Sequence, residues 1–128
     1  MKKRIWNILF LLAFLPALTG CGLVVFGGAA AGTVAYINGE LKTVLDSSLK
    51  DSVKAVDQAI RGTGVIRISR EVEDNKAEYI LRTTDDERIK LELEKSTAKT
   101  TNLAIRTGIF GDETLSYQIL DSIKRHLK

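Results

Sequence analysis

The sequence is poor in the residues that build cross-links, metal sites and aromatic platforms. Its 128 residues include one Cys, one Pro, one Trp and one His. One Cys excludes an intramolecular disulfide, and a single Cys with a single His cannot form a Cys/His zinc site. No catalytic residue, metal or cofactor is therefore predicted. The length allows one small domain.

Acidic residues are missing from the N-terminal part of the chain, where Lys2, Lys3 and Arg4 are the only charged residues before Glu40. An uncharged segment, Ile5 to Leu18, follows this basic start. As a helix its 14 residues would extend roughly 21 Å, short of the ~30 Å hydrocarbon core of a bilayer. The order of basic and then apolar residues indicates a secretion signal rather than a transmembrane anchor.

The segment closes with Leu18, Thr19, Gly20 and Cys21. These residues resemble the lipobox of bacterial lipoproteins, and the resemblance implies cleavage after Gly20 and a diacylglyceryl group on Cys21. The lipid bilayer is then the first partner, because two or three acyl chains anchor a protein stably. The alternative is a buried structural Cys. Gly22 stands where Asp would resemble an inner-membrane retention signal of enteric bacteria, so we expect the outer membrane, facing the periplasm.

The resulting domain prediction has three parts. Residues 1–20 form the signal peptide, residues 21–35 form the lipidated Cys and a Gly/Ala-rich tether, and residues 36–128 form a periplasmic domain. For the tether, the alternative is that the apolar residues 23–26 enter the membrane interface beside the acyl chains.

Cleavage would remove the net positive charge of the chain. Of 19 Lys and Arg residues, three lie in the signal, and the remaining 16 equal the 16 Asp and Glu residues. The basic surface expected of a nucleic-acid-binding protein is thus missing, and no nucleic-acid partner is predicted.

Hydrophobic periodicity predicts an α+β domain. Asn38 and Gly39 predict a turn, after which alternating residues predict strands at 40–45, 66–72, 78–82, 88–94 and around 103–105. Helical spacing predicts one helix capped by Ser47 or Ser48 and ended by Gly62 and Gly64, and a second over 113–127. The predicted order is β-α-β-β-β-β-α, a two-layer sandwich with both helices on one face of an antiparallel sheet of about five strands.

The alternation also predicts which side chains face the core. In the strand after the first helix, Ile66, Ile68 and Val72 are expected on one buried face. The outer sheet face is expected to carry four basic residues among acids, namely Arg67, Arg82, Lys90 and Arg106. A solvated surface is the simplest interpretation of that face, with an anion or glycan site as the alternative.

Two short groups of residues carry a second resemblance. They are Tyr36, Asn38, Gly39, Glu40 and Leu41 near the start of the domain, and Arg106, Gly108, Phe110, Gly111, Asp112, Glu113, Leu115 and Ser116 near its end. The pattern resembles an uncharacterised family of small bacterial lipoproteins, classed as a domain of unknown function. The resemblance implies an envelope lipoprotein with a compact domain and implies no activity.

The loop before the last helix has two interpretations. As a strand-to-helix corner, its two glycines supply unusual backbone angles, and Asp112 caps the helix or lies in its first turn. If Gly111 is the cap, Phe110 packs onto Leu115 as a hydrophobic staple. As a partner-binding tip, Arg106, Phe110 and Asp112 meet a partner, with an exposed Phe110 as the anchor.

The residues together predict a membrane-anchored lipoprotein with a small, non-catalytic interaction or structural domain, whose second partner is an envelope protein. The alternative is a periplasmic lipoprotein that binds a small ligand on the sheet face or between the helices and the sheet. The acids at 85–87 occupy a predicted turn, where solvation is more usual than catalysis.

Overall fold

The computed structural model describes residues 33–127 together with Lys3. The predicted lipobox, Leu18, Thr19, Gly20 and Cys21, lies outside the described residues, as does the predicted tether as far as Gly32. Within the described part of the chain, no helix is both long and apolar enough to cross a membrane.

The described chain forms an α+β domain with a six-stranded antiparallel sheet and two helices. In chain order the elements are β1 (Val34–Ile37), β2 (Glu40–Leu45), α1 (Leu49–Gly62), β3 (Ile66–Val72), β4 (Lys76–Arg82), β5 (Arg88–Lys95), β6 (Thr101–Thr107) and α2 (Glu113–Arg125). Across the sheet the order is β1-β2-β6-β5-β4-β3. The meander β3 to β6 therefore returns the chain to β2.

The sheet has six strands instead of the predicted five because β1 forms a hairpin with β2. Asn38 and Gly39 make the predicted turn, and both have positive φ (53° and 80°), as a two-residue hairpin turn requires. β1 begins at Val34, so it includes two residues that the sequence analysis assigned to the tether. Local periodicity did not reveal this strand because it continues the apolar Gly/Ala-rich run without a polar break.

α1 carries the chain from β2 past three strands to the far edge of the sheet. The helix begins as predicted, since the Ser48 hydroxyl accepts a hydrogen bond from the Asp51 amide at 3.2 Å. It ends at Gly62, also as predicted. Its buried residues include Val53 and Val56, which lie on the predicted apolar stripe.

One hydrophobic core contains the buried residues of both helices and of four strands. From the sheet come Leu41, Leu45, Ala77, Tyr79, Leu81, Ile89, Leu91, Leu93, Leu103 and Ile105, and from the helices Leu49, Val53, Ala55, Val56, Ala59, Ile119, Leu120 and Ile123. Along β4, β5 and β6 the buried residues alternate with more accessible ones, as period-two patterning predicts. The two helices also pack against each other.

The predicted buried face of β3 is wrong. All seven residues of this edge strand are exposed, including Ile66, Ile68 and Val72. The register with β4 shifts between Arg67 and Ser69, which interrupts the alternation of faces at Ile68. The bulge and the charged residues of this edge strand protect it against pairing with another chain.

Candidate functional site

The loop between β6 and α2 is held in a defined shape at both of its ends. The Gly108 amide donates a hydrogen bond to the Arg88 carbonyl oxygen at 2.7 Å. Both glycines of the loop have positive φ, 67° at Gly108 and 85° at Gly111. Asp112 is the N-cap of α2, and its carboxylate accepts a hydrogen bond from the Leu115 amide at 2.9 Å. These features are those of the predicted strand-to-helix corner.

The β1–β2 turn lies directly against this loop, backbone to backbone. A Cβ on Gly39 would lie 2.6 Å from the Phe110 carbonyl oxygen, and one on Gly111 would lie 2.5 Å from the Gly39 Cα. A Cβ on Gly111 would also collide with the Tyr36 hydroxyl. Two residue groups that resembled one family thus meet in space, and glycine is needed at both positions.

Phe110 does not form the staple on Leu115 that was predicted for Gly111 as the cap. Its side chain is 92% exposed, and that of its neighbour Ile109 is 86% exposed. A staple uses the residue just before the N-cap, and with Asp112 as the N-cap that residue is Gly111, which has no side chain. Two large apolar side chains therefore project from the loop without packing on the core.

Basic side chains adjoin these two apolar residues. Arg88, Lys90 and Arg106 line an open hollow with Ile109 and Phe110, together with Asp86, Glu87 and Gly108. Lys90 and Arg106 are register partners on β5 and β6. We call Ile109, Phe110, Arg88 and Arg106 the apolar–basic tip.

The charges around the tip differ in their pairing. Lys90 contacts Glu92 at 2.5 Å and Glu78 at 3.5 Å, and the hydrogen bond to Glu92 raises the pKa of Lys90. By contrast, neither Arg88 nor Arg106 has an ion-pair partner among residues 33–127. The tip therefore presents two guanidinium groups that are available to an anion.

Charge changes sign along the accessible face of β5. Arg88 and Lys90 lie at the end near the tip, and Glu92 and Glu94 lie toward the other end. Register extends the acidic end across the sheet, because Glu92 pairs with Glu78 and Glu78 pairs with Glu71. Each end also holds one charge of the opposite sign in register, Glu40 beside Arg106 and Lys76 beside Glu94, so the sheet face is polar in its net charge, with basic residues in excess at the tip and acidic residues in excess at the other end.

A second polar cluster joins the edge strand β3 to α1. Asp57 of α1 accepts two hydrogen bonds from Arg70, at 3.1 and 3.0 Å, and one from the Tyr79 hydroxyl at 3.1 Å. Burial raises the pKa of Tyr79 to about 12, and the hydrogen bonds to Asp57 raise the pKa of Arg70. Because Tyr79 is fully buried and its hydroxyl contacts Asp57, this cluster fastens β3 to the helix.

The same cluster corrects the predicted place of Arg67. Register pairs Arg67 with the buried Leu81, and its guanidinium lies 3.6 Å from the Asp57 carboxylate of α1. Arg67 therefore lies on the helix side of the sheet and not on the outer face, because the bulge after it changes the alternation. Lys90 and Arg106 belong to the opposite, outer face.

Among residues 33–127 and Lys3, no group of three or more His, Cys, Asp or Glu side chains is placed to hold a metal ion. The acids at 85–87 lie in the β4–β5 turn, where Asp86 is paired with Arg82 at 3.0 Å. The gap between the helices and the sheet is about 10 Å³, enough for about one water molecule.

A family model described as "Protein of unknown function (DUF3568)" matches residues 4–126. The chain belongs to this family. Membership agrees with the predicted resemblance to a domain family of unknown function, and the match covers nearly the whole sequence. No curated protein is similar enough to the chain to match it.

Some residues of these sites carried a usable sequence signal and others did not. Asp57 follows Val53 by four positions and so falls on the apolar stripe of α1, which is the one hint that it meets a buried partner. Ile109 gave no signal of its exposure, since an apolar residue in a short loop is equally compatible with packing inward. Arg88 was predicted only as one polar residue of an alternating strand.

Proposed function

We propose that this protein is a bacterial lipoprotein, attached through Cys21, that presents a small non-catalytic domain in the periplasm. The observation that carries the proposal is the order of a basic start, an apolar segment and the residues Leu18 to Cys21. An apolar segment too short to span the bilayer, followed within three residues by Cys21, suits lipid attachment.

A non-catalytic role is supported by the described domain. The side chains with displaced pKa values are Arg70, Tyr79 and Lys90, and ion pairing or burial in the fold explains each one. His126 lies at the end of α2, with its ring nitrogen 2.8 Å from the Ser122 carbonyl oxygen. A small-ligand role in the helix–sheet gap is disfavoured by its small volume.

The interaction surface that we assign to the domain is the apolar–basic tip. Phe110 and Arg106 belong to it as the tip interpretation predicts, whereas Asp112 contributes by capping α2 and fixing the loop. Membrane attachment and an exposed tip together describe a protein whose task is contact at the envelope surface.

The test is the chemical state of position 21 in protein from a bacterial host that processes lipoproteins. We expect mass spectrometry to find an N-terminal peptide that begins at Cys21 and carries a diacylglyceryl group. Cys21→Ser should leave the leader uncleaved and the position unmodified, whereas Gly22→Ala, a matched change one residue away, should preserve processing. An unmodified thiol in the wild-type chain would contradict the proposal.

Sorting to the outer membrane is tested with Gly22→Asp. This change introduces the residue that resembles an inner-membrane retention signal, so density-gradient fractionation should move the protein to the inner membrane, with Gly22→Ala remaining in the outer-membrane fraction. Identical distributions of wild type and Gly22→Asp would contradict this assignment.

A further inference from the structure

The two apolar side chains of the apolar–basic tip are exposed and do not pack on the core. Phe110 and Ile109 are adjacent, and both side chains are more than four-fifths exposed. Single apolar residues on a surface are ordinary, but two large neighbours at the end of a constrained loop form a patch typical of a binding surface. The glycine contacts beneath the loop keep it in this shape before any partner arrives.

The charges beside the apolar pair favour an anionic partner. Arg88 and Arg106 have no ion-pair partner among the described residues. Of the nearby acids, Asp86 is paired with Arg82, Glu40 opposite Arg106 is paired with Lys42 at 3.4 Å, and Glu87 is the remaining acid that lines the hollow. Arginine stems lie along apolar surfaces while their guanidinium groups bind phosphate oxygens. Apolar side chains flanked by arginines are suited to the boundary between lipid headgroups and acyl chains.

We propose that the apolar–basic tip binds the surface of an anionic phospholipid bilayer, with Phe110 and Ile109 entering the interface and Arg88 and Arg106 binding lipid phosphates. The shape supports a bilayer over a protein partner, because the apolar pair projects outward. A protein would have to supply a matching pocket, whereas a bilayer accommodates any projecting apolar group.

The charge polarity of the sheet would orient the domain on such a surface. The negative potential of anionic lipids attracts basic residues and repels acidic ones over about one Debye length, roughly 8–10 Å. Arg88 and Glu94 are six positions apart on β5, roughly 20 Å along the strand. The acidic end, with Glu71, Glu78 and Glu92, therefore lies away from the bilayer when the tip contacts it.

The length of chain before β1 is compatible with this orientation; this step rests on the proposed lipidation of Cys21. Twelve residues, 22–33, separate Cys21 from β1, and a chain of that length reaches at most about 40 Å. β1 has four residues, roughly 13 Å, and runs toward the turn that touches the Phe110 loop. A lipid at Cys21 and the tip can thus meet the same bilayer.

The test places a single tryptophan at the tip of the processed, lipidated chain. Cleavage after Gly20 removes Trp6, the one natural Trp, and Trp6→Phe ensures that any chain that keeps its leader contributes no Trp emission. Phe110→Trp then introduces the reporter at a position that is 92% exposed. The protein is incorporated into vesicles of equimolar phosphatidylcholine and phosphatidylglycerol with brominated acyl chains. We expect a blue-shifted emission that the brominated lipid quenches.

A matched control carries Trp6→Phe with Ile68→Trp, which places the reporter on the exposed edge strand β3. This reporter should remain unquenched, even though both proteins attach to the vesicle in the same way at their N-termini. Adding Arg88→Gln and Arg106→Gln to the tip reporter, or omitting phosphatidylglycerol, should remove most of the quenching. Arg61→Gln, on the exposed last turn of α1, should not.

Three results would overturn the proposal: no quenching at position 110, equal quenching at positions 110 and 68, or quenching that needs neither the arginines nor the anionic lipid. Capture of an envelope protein by a photo-crosslinker at position 110, with no quenching there, would assign the tip to a protein partner instead. Failure of lipidation is seen separately in the mass of Cys21, because quenching at position 110 reports only where the tip lies.

Discussion

At the scale of single residues, the glycines show how backbone geometry and close contact add to one another. Gly62 has an ordinary φ, and a Cβ added there would meet no heavy atom within 4 Å. Gly64 has φ of 72° in open space, and Gly111 has both φ of 85° and a backbone neighbour 2.5 Å from the place of its Cβ. The three positions separate the cost of a left-handed backbone from the cost of a collision.

We predict a graded response to alanine at these positions. Gly62→Ala, at the end of α1, should be neutral or stabilise the protein by up to about 1 kcal/mol, because alanine favours the helix. Gly64→Ala should cost about 1 kcal/mol through backbone strain, and Gly111→Ala more than about 2 kcal/mol because a collision is added. Urea unfolding measures the series, and equal effects at Gly64 and Gly111 would contradict the close contact.

At the residue scale, only some features of the apolar–basic tip could be predicted from the sequence. The place of Asp112 before an apolar stripe predicted that it caps the helix or lies in its first turn, because capping depends on the next three residues only. The exposure of Phe110 depends instead on which residue is the N-cap. With Gly111 as the N-cap, Phe110 would precede it and could pack on the helix. Because Asp112 is the N-cap, Phe110 projects away from the helix. The corner was therefore predictable, and the projecting side chain was one of two open alternatives.

At the scale of elements, β3 is held to the domain by one polar cluster and by its ladder with β4. Its own side chains are exposed, so apolar burial contributes little to its attachment. Asp57 receives a bidentate pair from Arg70 and lies 3.6 Å from Arg67. This edge strand should therefore respond to loss of the charged contact more than the central strands do.

We predict that Arg70→Ala loosens β3 locally. Side chains in this pair are partly exposed, so we expect a loss of about 1 kcal/mol and a roughly fivefold faster amide exchange of residues 66–72, with β5 and β6 little affected. Arg125→Ala, which removes an exposed ion pair with Asp121 on α2, is the control and should leave exchange in β3 unchanged. Uniform acceleration over the whole sheet would show that the cluster acts globally.

At the scale of the whole molecule, the stability of the fold depends on pH through the buried phenol of Tyr79. The side chain is completely buried, its hydroxyl donates to Asp57, and burial raises its pKa to about 12 from the ordinary value near 10. Folding therefore favours the neutral phenol. Its contribution is fully present below about pH 10, and it is lost as the pH rises toward about 12, because the unfolded chain releases the proton first.

We predict that this alkaline loss of stability is smaller in Tyr79→Phe. Urea unfolding at neutral pH should show a cost of about 1 kcal/mol for the missing hydrogen bond, and the further decline between about pH 10 and pH 12 should be reduced. Tyr117→Phe, at a position 41% exposed, is the control and should decline as the wild type does. The same alkaline decline in both variants would exclude Tyr79 as its source.

What the sequence alone determined was the periodic faces of the central strands and of the helices. The alternation of Ile89, Leu91 and Leu93 with charged residues determined both the buried face of β5 and its charge order, and the stripe of Val53 and Val56 determined the inner face of α1. This periodicity acts over two to four residues, so a local pattern carries it in a strand that has neighbours on both sides, whereas in the bulged edge strand β3 the same kind of pattern gave the wrong face.

Only the tertiary structure decided the features that join distant parts of the chain. The bulge in β3 turned Arg67 toward Asp57, and the contact of Gly39 with Gly111 brought the first turn under the Phe110 loop. Each depends on which strands become neighbours and in what register. That choice is made by the packing of the whole core, and no short stretch of sequence contains it.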